Sequence, residues 1–312
     1  MTYLPATYKQ AVINAQVSLA GFYSFGWGVE KDLGKAFSWY NKAAALGSDL
    51  GQVGLGNCYL NGWGVEQDFA KAFTWYQKAA EMGNVIAQMA IGNCYYSGLG
   101  VEQDFAKAFS WIQKAAEKGY AQAQNNLGIY YCYGIGVETN PEKAFYWFKK
   151  AVEQNAPMSK NNLGLCYYDG IGVAKDYKKA FQLYKEAEKE GMAITFYNLG
   201  VYYYDGYDIA PDYKLAYEYF TQAMDQGVTA AKGKLGEMYY KGQYVKQDYD
   251  KAFQFLKEAA EDKEVANGNA MRLLSACYRY GVGTEKDAQK EAYWMEKAAQ
   301  CKDEKAVGIV GK

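Results

Sequence analysis

The sequence predicts an all-α protein built from tandem pairs of helices, and an internal repeat is the main reason. The string Gly-Val-Glu-Gln-Asp-Phe-Ala-Lys-Ala-Phe begins at Gly64 and begins again at Gly100, a step of 36 residues. A fixed period of this size is typical of solenoids, in which each repeat contacts only its neighbours, so a chain of 312 residues needs no single large core. The Lys-Ala pair of this string recurs along the chain at Lys35-Ala36, Lys71-Ala72, Lys107-Ala108, Lys143-Ala144, Lys179-Ala180 and Lys251-Ala252.

The first helix of each repeat is marked by a leucine, a small residue directly after it, and a tyrosine three residues further on. Another small residue lies four positions before the leucine, so these spacings place all four residues on one helical face. Glycine within a helix costs about 1 kcal/mol relative to alanine, and its recurrence predicts close approach of the partner helix. We expect the tyrosine row to lie in the core: Tyr23, Tyr59, Tyr95, Tyr131, Tyr167, Tyr203, Tyr239 and Tyr278.

A Gly-x-Gly turn and an N-cap residue connect the first helix to the second. The first glycine of the turn, such as Gly98, is suited to end a helix in the left-handed conformation. An aspartate such as Asp104 then precedes the second helix, as an N-cap residue should. The second helix carries Ala-Phe-x-Trp and then Lys-Ala-Ala, and it usually ends at a glycine: Gly47, Gly83, Gly119, Gly191 or Gly227.

Eight such units account for residues 12–301 of the chain. Residues 1–11 form a lead-in or N-terminal cap, and residues 302–312 form a tail or partial cap. Between repeats seven and eight the step grows by three residues near Glu264–Asn269, where we expect a longer loop or helix. Repeats six and seven lack the second turn glycine, because Asp208 and Tyr244 stand there.

The composition argues against several classes of function. The net charge is −1 and there is no long basic run, so binding to nucleic acid or to a membrane surface is unsupported. No apolar stretch is long enough to insert into a bilayer. The chain contains no histidine, the commonest general base and metal ligand, and it has no phosphate-binding glycine loop. We therefore expect no enzymatic activity, no cofactor and no metal.

The cysteines and the first residues bear on the cellular compartment. Cys58, Cys94, Cys166 and Cys277 occupy equivalent places in different repeats, and stacked helix pairs lie about 10 Å apart, whereas a disulfide requires Cα atoms within about 7 Å. We therefore expect these cysteines to be buried small residues. Residues 1–10 lack the features of a secretory signal, which favours the cytoplasm. A periplasmic or secreted location is the alternative if a signal has been removed.

The motifs Leu-Gly-x-x-Tyr, Gly-x-Gly-Val, Asp-x-x-Lys-Ala and Trp-x-x-Lys-Ala-Ala resemble the Sel-one-like repeat, a relative of the tetratricopeptide repeat. The resemblance extends over all eight units. It implies a right-handed α-solenoid of eight antiparallel helix pairs, and a role as an adaptor or scaffold for protein complexes. In bacteria such proteins often serve signalling, envelope processes or contact with a host. The chain lacks the cysteine pair that each repeat of the family's cysteine-rich branch carries.

Tetratricopeptide relatives line a concave groove with their first helices. If this holds here, the groove positions lie three before, one after and four after the small residue that follows the leucine of each repeat. Asparagine offers a donor and an acceptor to a peptide backbone, and tyrosine offers a large contact area with a polar tip. A purely structural role is the alternative for many of the 32 tyrosines, whereas no core role requires the asparagine amides. The predicted partner-binding residues are Asn57, Asn93, Tyr96, Asn125, Tyr133, Asn161, Tyr168, Asp169, Tyr197, Tyr204, Asp205 and Tyr240.

Arginine marks a further candidate site. Among 34 basic residues only Arg272 and Arg279 are arginines, and their separation of seven places both on one helical face. Arginine is suited to bidentate recognition of carboxylates, so the pair is a candidate anion clamp for an acidic side chain or a C-terminus. The alternative is local ion pairing with Glu237 or another nearby carboxylate.

Two hypotheses on function follow from the sequence and the resemblance. The first is an intracellular adaptor that binds a protein partner, as an extended peptide, in the groove. The second is an exported or host-facing protein that recognises a folded partner. Self-assembly through the solenoid ends is a minor alternative, and a monomer is favoured.

Overall fold

The computed structural model describes residues 6–262 and 267–301, and these residues form helices and short connections without strands. The all-α fold class predicted from the sequence is confirmed. The predicted tail at 302–312 and part of the longer step near 264–269 lie outside the described residues. The helices are α1 (Ala6–Phe25), α2 (Leu33–Ala45), α3 (Asp49–Asn61), α4 (Phe69–Glu81), α5 (Val85–Ser97), α6 (Phe105–Glu117), α7 (Ala121–Tyr133), α8 (Pro141–Glu153), α9 (Ser159–Asp169), α10 (Tyr177–Ala187), α11 (Ala193–Asp205), α12 (Tyr213–Asp225), α13 (Thr229–Lys241), α14 (Tyr249–Ala260), α15 (Gly268–Tyr280) and α16 (Ala288–Gln300), with a 3-10 turn at Glu188–Glu190.

The chain forms two compact units, Met1–Asn140 with α1 to α7 and Pro141–Lys312 with α8 to α16. Within each unit, consecutive helices pack against one another. For example, α3 packs against α2 and α4 in the first unit, and α13 packs against α12 and α14 in the second. Helices α3 and α5 in the first unit, and α9, α11, α13 and α15 in the second, are thus each held between the second helix of their own repeat and that of the repeat before.

The predicted N-caps form at the aspartates. The Asp68 carboxylate accepts a hydrogen bond from the Lys71 backbone N–H at 2.9 Å, and the Lys71 ammonium lies 3.0 Å from the same carboxylate. These two groups of Lys71 hold the pKa of Asp68 below its usual value. The ammonium also lies 5.5 Å from the centre of the Tyr59 ring. The same three-residue contact recurs in other repeats at Asp32–Lys35–Tyr23, Asp104–Lys107–Tyr95, Asp176–Lys179–Tyr167, Asp248–Lys251–Tyr239 and Asp287–Lys290–Tyr278. Of the tyrosine row expected in the core, Tyr131 and Tyr278 are buried, whereas the others are half-buried: Tyr23, Tyr59, Tyr95, Tyr167, Tyr203 and Tyr239.

The small residue after each leucine allows the partner helix to approach closely. A Cβ atom on Gly56 would lie 2.3 Å from the Tyr76 ring of α4, and one on Gly164 would lie 2.7 Å from the Tyr184 ring of α10. Both tyrosines are fully buried. The expected reason for helical glycine, close approach of the partner helix, is therefore confirmed.

The second turn glycine makes the contact between successive repeats. Gly100 has φ +71°, and a Cβ atom on it would lie 2.1 Å from the Phe69 carbonyl oxygen at the start of α4. Gly28 has the same left-handed backbone, with φ +70°, but no atom within 4 Å of its Cβ position. Tyr244 takes this turn position in repeat seven with φ +63°, a backbone region that favours glycine.

The equivalent cysteines are buried, as predicted. Cys58, Cys94, Cys166 and Cys277 are at most 3% exposed, and the cysteines of the described residues are unbridged. Burial raises the pKa of the thiols of Cys58, Cys94 and Cys277 to about 11. These thiols therefore remain protonated at neutral pH and serve as packing groups.

We expect Cys58, Cys94 and Cys277 to react with iodoacetamide at pH 8 at least about 100-fold more slowly than cysteine in an unfolded peptide. A pKa about two units higher leaves about 100-fold less of the reactive thiolate, and burial also hinders the reagent. The measurement is mass spectrometry of labelled peptides over time, with the guanidinium-unfolded protein as the control. Equal labelling rates at Cys94 in the folded and unfolded protein would contradict this prediction.

Candidate functional site

In the Pro141–Lys312 unit, the first helices of neighbouring repeats contact one another directly. Helix α9 packs beside α11, and α13 packs beside α15. Hydrogen bonds join these neighbours, since Asn198 Nδ2 donates to Asn161 Oδ1 at 2.9 Å and Asn269 Nδ2 donates to Glu237 Oε2 at 3.0 Å. We call the partly or fully exposed residues of these helices on the side that the sequence analysis assigned to a groove the first-helix face: Asp169, Tyr197, Asp205, Tyr240, Lys241, Arg272, Arg279 and Tyr280.

Two of the asparagines that the sequence analysis assigned to partner binding lie in the interior. Asn125 and Asn161 are fully buried. The Asn161 Oδ1 atom accepts hydrogen bonds from Asn198 and, at 3.4 Å, from Thr195 Oγ1. The expectation that no core role requires these amides is therefore wrong, because Asn161 joins α9 to α11 inside the unit. The signal in the sequence was the pair of polar residues 34 and 37 positions after Asn161.

Tyr168 and Asp205 are brought together at the edge of α9 and α11. Tyr168 is buried, and its hydroxyl donates to Asp205 Oδ2 at 2.5 Å. Burial, and then the Asp205 carboxylate, raise the pKa of Tyr168. Tyr207 stacks on Tyr177 with ring centres 4.8 Å apart and is 63% exposed. Sequence reasoning missed Tyr207, although it stands at the turn position that Trp27 and Trp63 occupy in other repeats.

A charged network links α11, α13 and α15. Glu237 is buried, and its carboxylate accepts a hydrogen bond from the Lys241 ammonium at 2.6 Å. Burial opposes ionisation of Glu237, but Lys234 and Lys241 outweigh it and hold its pKa below the usual value. Tyr204 is also buried, and its hydroxyl donates to Gln243 while the Lys234 ammonium lies 4.8 Å from its ring centre. The two lysines exceed the one carboxylate, so this part of the face carries net positive charge.

Tyrosines supply the accessible apolar area of the first-helix face. Tyr240 is partly exposed and packs edge-to-face against Tyr249 with ring centres 5.7 Å apart. Tyr280, at the end of α15, is 59% exposed. Tyr197 is partly exposed and packs beside the buried Phe220, with ring centres 5.8 Å apart. The rings of Tyr240 and Tyr197 are therefore held by neighbours while part of their surface remains accessible.

The two arginines are engaged with local groups. Arg279 Nε donates to Glu291 Oε1 at 2.6 Å, and this carboxylate raises the pKa of Arg279. Arg272 Nη2 donates to Asn269 Oδ1 at 2.7 Å. These contacts correspond to the local-pairing alternative for Arg279, with Glu291 rather than Glu237 as its partner. The anion clamp remains a prediction that would require Arg279 to exchange partners.

The Met1–Asn140 unit carries the other predicted residues on α3, α5 and α7. Asn57 is half-buried and accepts a hydrogen bond from the Tyr76 hydroxyl at 2.7 Å. Asn93 is exposed on α5. Tyr96 is exposed and packs against Phe105 with ring centres 5.5 Å apart, and Tyr133 is exposed at the end of α7. These residues form a largely uncharged counterpart to the first-helix face.

The regular placement of these side chains agrees with a family model of the Sel1 repeat, which matches residues 13–48, 50–84, 85–120, 121–155, 157–192, 197–228, 230–263 and 268–303. The chain belongs to the Sel1 repeat family. The resemblance found in the sequence is thereby confirmed. Sel1 repeats generally serve as scaffolds for protein–protein interaction and are typically not enzymes.

Solved structures of Sel1 repeat proteins share this fold. A protective antigen present in uropathogenic Escherichia coli strains, displaying an SLR fold, is 29% identical to this Sel1 repeat protein with a TM-score of 0.65. The match covers 93% of this chain and 69% of the antigen. A Sel1 repeat protein from Oxalobacter formigenes is 34% identical with a TM-score of 0.64, over 76% of this chain and 93% of the other. A comparison with curated proteins gave no match.

In the part of this Sel1 repeat protein that the structure describes, no group of three or more cysteine, aspartate or glutamate side chains could hold a metal ion. In the same residues, no helix has both the length and the apolar character needed to cross a membrane.

Proposed function

We propose that this Sel1 repeat protein is a scaffold that binds an extended peptide segment of a protein partner along the first-helix face. The observation that supports this most directly is the combination of partly exposed, well-packed tyrosines with charged groups on four neighbouring repeats. Tyrosine is favoured in binding surfaces because a large ring is ordered at a low cost in side-chain entropy. The adjacent carboxylates and ammonium groups supply partners for polar side chains and for the peptide backbone.

The order of charges along this face gives the bound peptide a direction. One helical position is occupied by Asp169 in repeat five, Asp205 in repeat six and Lys241 in repeat seven. Arg272 and Arg279 follow in repeat eight. Complementary charges favour one orientation of a partner and disfavour the other. The preferred peptide therefore places basic residues toward α9 and α11, and acidic residues or its C-terminus toward α13 and α15.

The test is a selection of linear peptides from a random phage-displayed library against the full chain, followed by fluorescence anisotropy with a synthetic selected peptide. The face variant carries Tyr240→Ala, Arg272→Ala and Tyr280→Ala. The matched control carries Tyr146→Ala, Lys149→Ala and Tyr293→Ala, which removes two exposed tyrosines and one cation from second helices of the same unit. We expect the face variant to bind at least about tenfold more weakly, because truncating interface tyrosines and arginines often costs more than 1 kcal/mol each.

Equal affinity of both variants, with far-UV circular dichroism showing that both are folded, would contradict the proposal. Reversing the order of charges in the peptide provides a second arm. We expect the reversed peptide to bind more weakly to the wild type, and a loss of this preference in the face variant.

A second candidate function is that of an exported protein that recognises a folded partner. It is supported by the Escherichia coli neighbour, which is described as a protective antigen. Fractionation of the native organism, with detection of this protein by antibody on intact cells, tests the location. Detection only after lysis would argue against this candidate.

A further inference from the structure

Helix α16 exposes a face that is buried in the second helices of repeats two to seven. Met295 lies four residues after the position of the recurring alanine, and it is 40% exposed. Ala292 and Ala299 on the same side of α16 are exposed as well. The residues equivalent to Met295 are fully buried in the earlier repeats: Tyr76, Ile112, Phe148, Tyr184, Phe220 and Leu256. Within each unit the first helix of the same repeat contacts this position, as Gly56 contacts Tyr76, and the first helix of the following repeat packs against the same second helix.

Helix α1 exposes the complementary face. Phe22 is 42% exposed, and the space at Gly28 is open, whereas Gly100 meets the start of the preceding second helix. The residues equivalent to Phe22 are all buried where a second helix precedes them: Cys58, Cys94, Tyr130, Cys166, Tyr202, Met238 and Cys277. In the described residues, α1 is thus a first helix that lacks the second helix on which it would pack.

The side chains on the two faces are matched in size. Within the chain, a phenylalanine of the preceding second helix lies beside the residue equivalent to Phe22. For example, the ring centres of Phe181 and Tyr202 are 4.7 Å apart. In four repeats a small cysteine occupies this first-helix position, after a second helix that carries the phenylalanine. On the two exposed faces the sizes are exchanged, because α1 carries Phe22 and α16 carries Ala292. Swaps that conserve total volume are the changes that packed interfaces tolerate best.

We propose that this face of α16 docks on α1 of a second copy of the chain, so that two copies associate head to tail in the geometry of the internal junctions. The occupant is a second copy because the chain's own junctions show which side chains cover each face. The two surfaces differ from one another, so the contact is heterologous and can continue from copy to copy. This association is independent of peptide binding on the first-helix face.

Sedimentation velocity over a concentration series of the full chain tests the association. We expect the wild type to form larger species as its concentration rises. Phe22→Glu and Met295→Glu each place a charge in the junction, and each should weaken self-association by more than about tenfold. Met82→Glu, at an exposed methionine directly after α4, is the matched control and should associate as the wild type does.

Mixing the two charged variants gives the decisive result. The Met295→Glu chain retains the α1 face, and the Phe22→Glu chain retains the α16 face, so an equal mixture should form one-to-one dimers and nothing larger. A wild type that is monomeric at every concentration would overturn the proposal. Undiminished self-association of either variant alone would also overturn it, because a contact between two identical faces would then be responsible.

An exchange of volume separates packing from loss of folding. Phe22→Cys and Ala292→Phe should each weaken association when introduced singly. A chain carrying both substitutions places cysteine opposite phenylalanine, as in the internal junctions, and should associate within about threefold of the wild type. Failure of the double variant to recover, with all variants folded by circular dichroism, would count against the proposed register. Unchanged peptide affinity in these variants would show that the two surfaces act separately.

Discussion

Replacing Gly100 with alanine is expected to lower the free energy of unfolding by about 3 kcal/mol or more. A residue with a Cβ atom pays about 1–2 kcal/mol in the left-handed conformation that Gly100 adopts. The new methyl group would also lie 2.1 Å from the Phe69 carbonyl oxygen, so α4 and the turn would have to separate. Overpacking of this kind typically costs a further 1–3 kcal/mol.

Gly28→Ala is the matched control for this substitution. Gly28 has φ +70°, as close to left-handed as Gly100, but its Cβ position has no neighbouring atom within 4 Å. We therefore expect Gly28→Ala to lower the free energy of unfolding only by the cost of placing alanine in the left-handed conformation. Urea unfolding followed by circular dichroism gives both values. Equal losses for the two variants would show that contact with the preceding helix contributes nothing at this turn.

Replacing Asn161 with leucine is expected to destabilise the protein by about 3 kcal/mol. The substitution removes the acceptor that Asn198 and Thr195 share, and both donors are buried. A buried polar group left without its partner costs about 1–3 kcal/mol. Leucine cannot accept these hydrogen bonds in any conformer, so the polar link between α9 and α11 would be lost.

Asn93→Leu tests the same change of residue at an exposed asparagine. Asn93 lies on the surface of α5, and surface substitutions usually alter stability by less than about 0.5 kcal/mol. Thermal unfolding of both variants measures the difference. A loss at Asn93 as large as that at Asn161 would show that burial of the amide is not what makes Asn161 important.

The fold was predictable because the signals for it are local and repeated. The Asp68 N-cap, the helical Gly56 and the turn glycine Gly100 each act through contacts that a periodic pattern implies. Eight occurrences of one pattern reinforce one another, so a departure such as Tyr244 did not obscure it. The buried cysteines followed from the same reasoning, since equivalent positions in stacked repeats lie too far apart for disulfides.

The details of the candidate site were less predictable because they depend on side chains from different repeats. The sequence analysis assigned Asn161 to the partner-binding stripe of its helix, but the contacts with Thr195 and Asn198 show that the side chain is enclosed. Arg279 likewise finds its carboxylate on α16, twelve residues away. The helical periodicity of one repeat predicts on which side of the helix each residue lies. Side chains from neighbouring repeats determine how far that residue is exposed.

The uniformity of the turn contacts has a consequence for inheritance. Gly64 and Gly100 occupy the same place relative to the helix before them, and the ten residues that begin at each are identical. A gene rearrangement that removes the 36 codons from Gly64 to Leu99 keeps the reading frame and places Gly100 against α2, where Gly64 now lies. The shortened protein would retain every remaining contact type. Duplication of the same codons would lengthen it equally well, so gain or loss of whole repeats offers this protein a route to new sizes that point mutation does not.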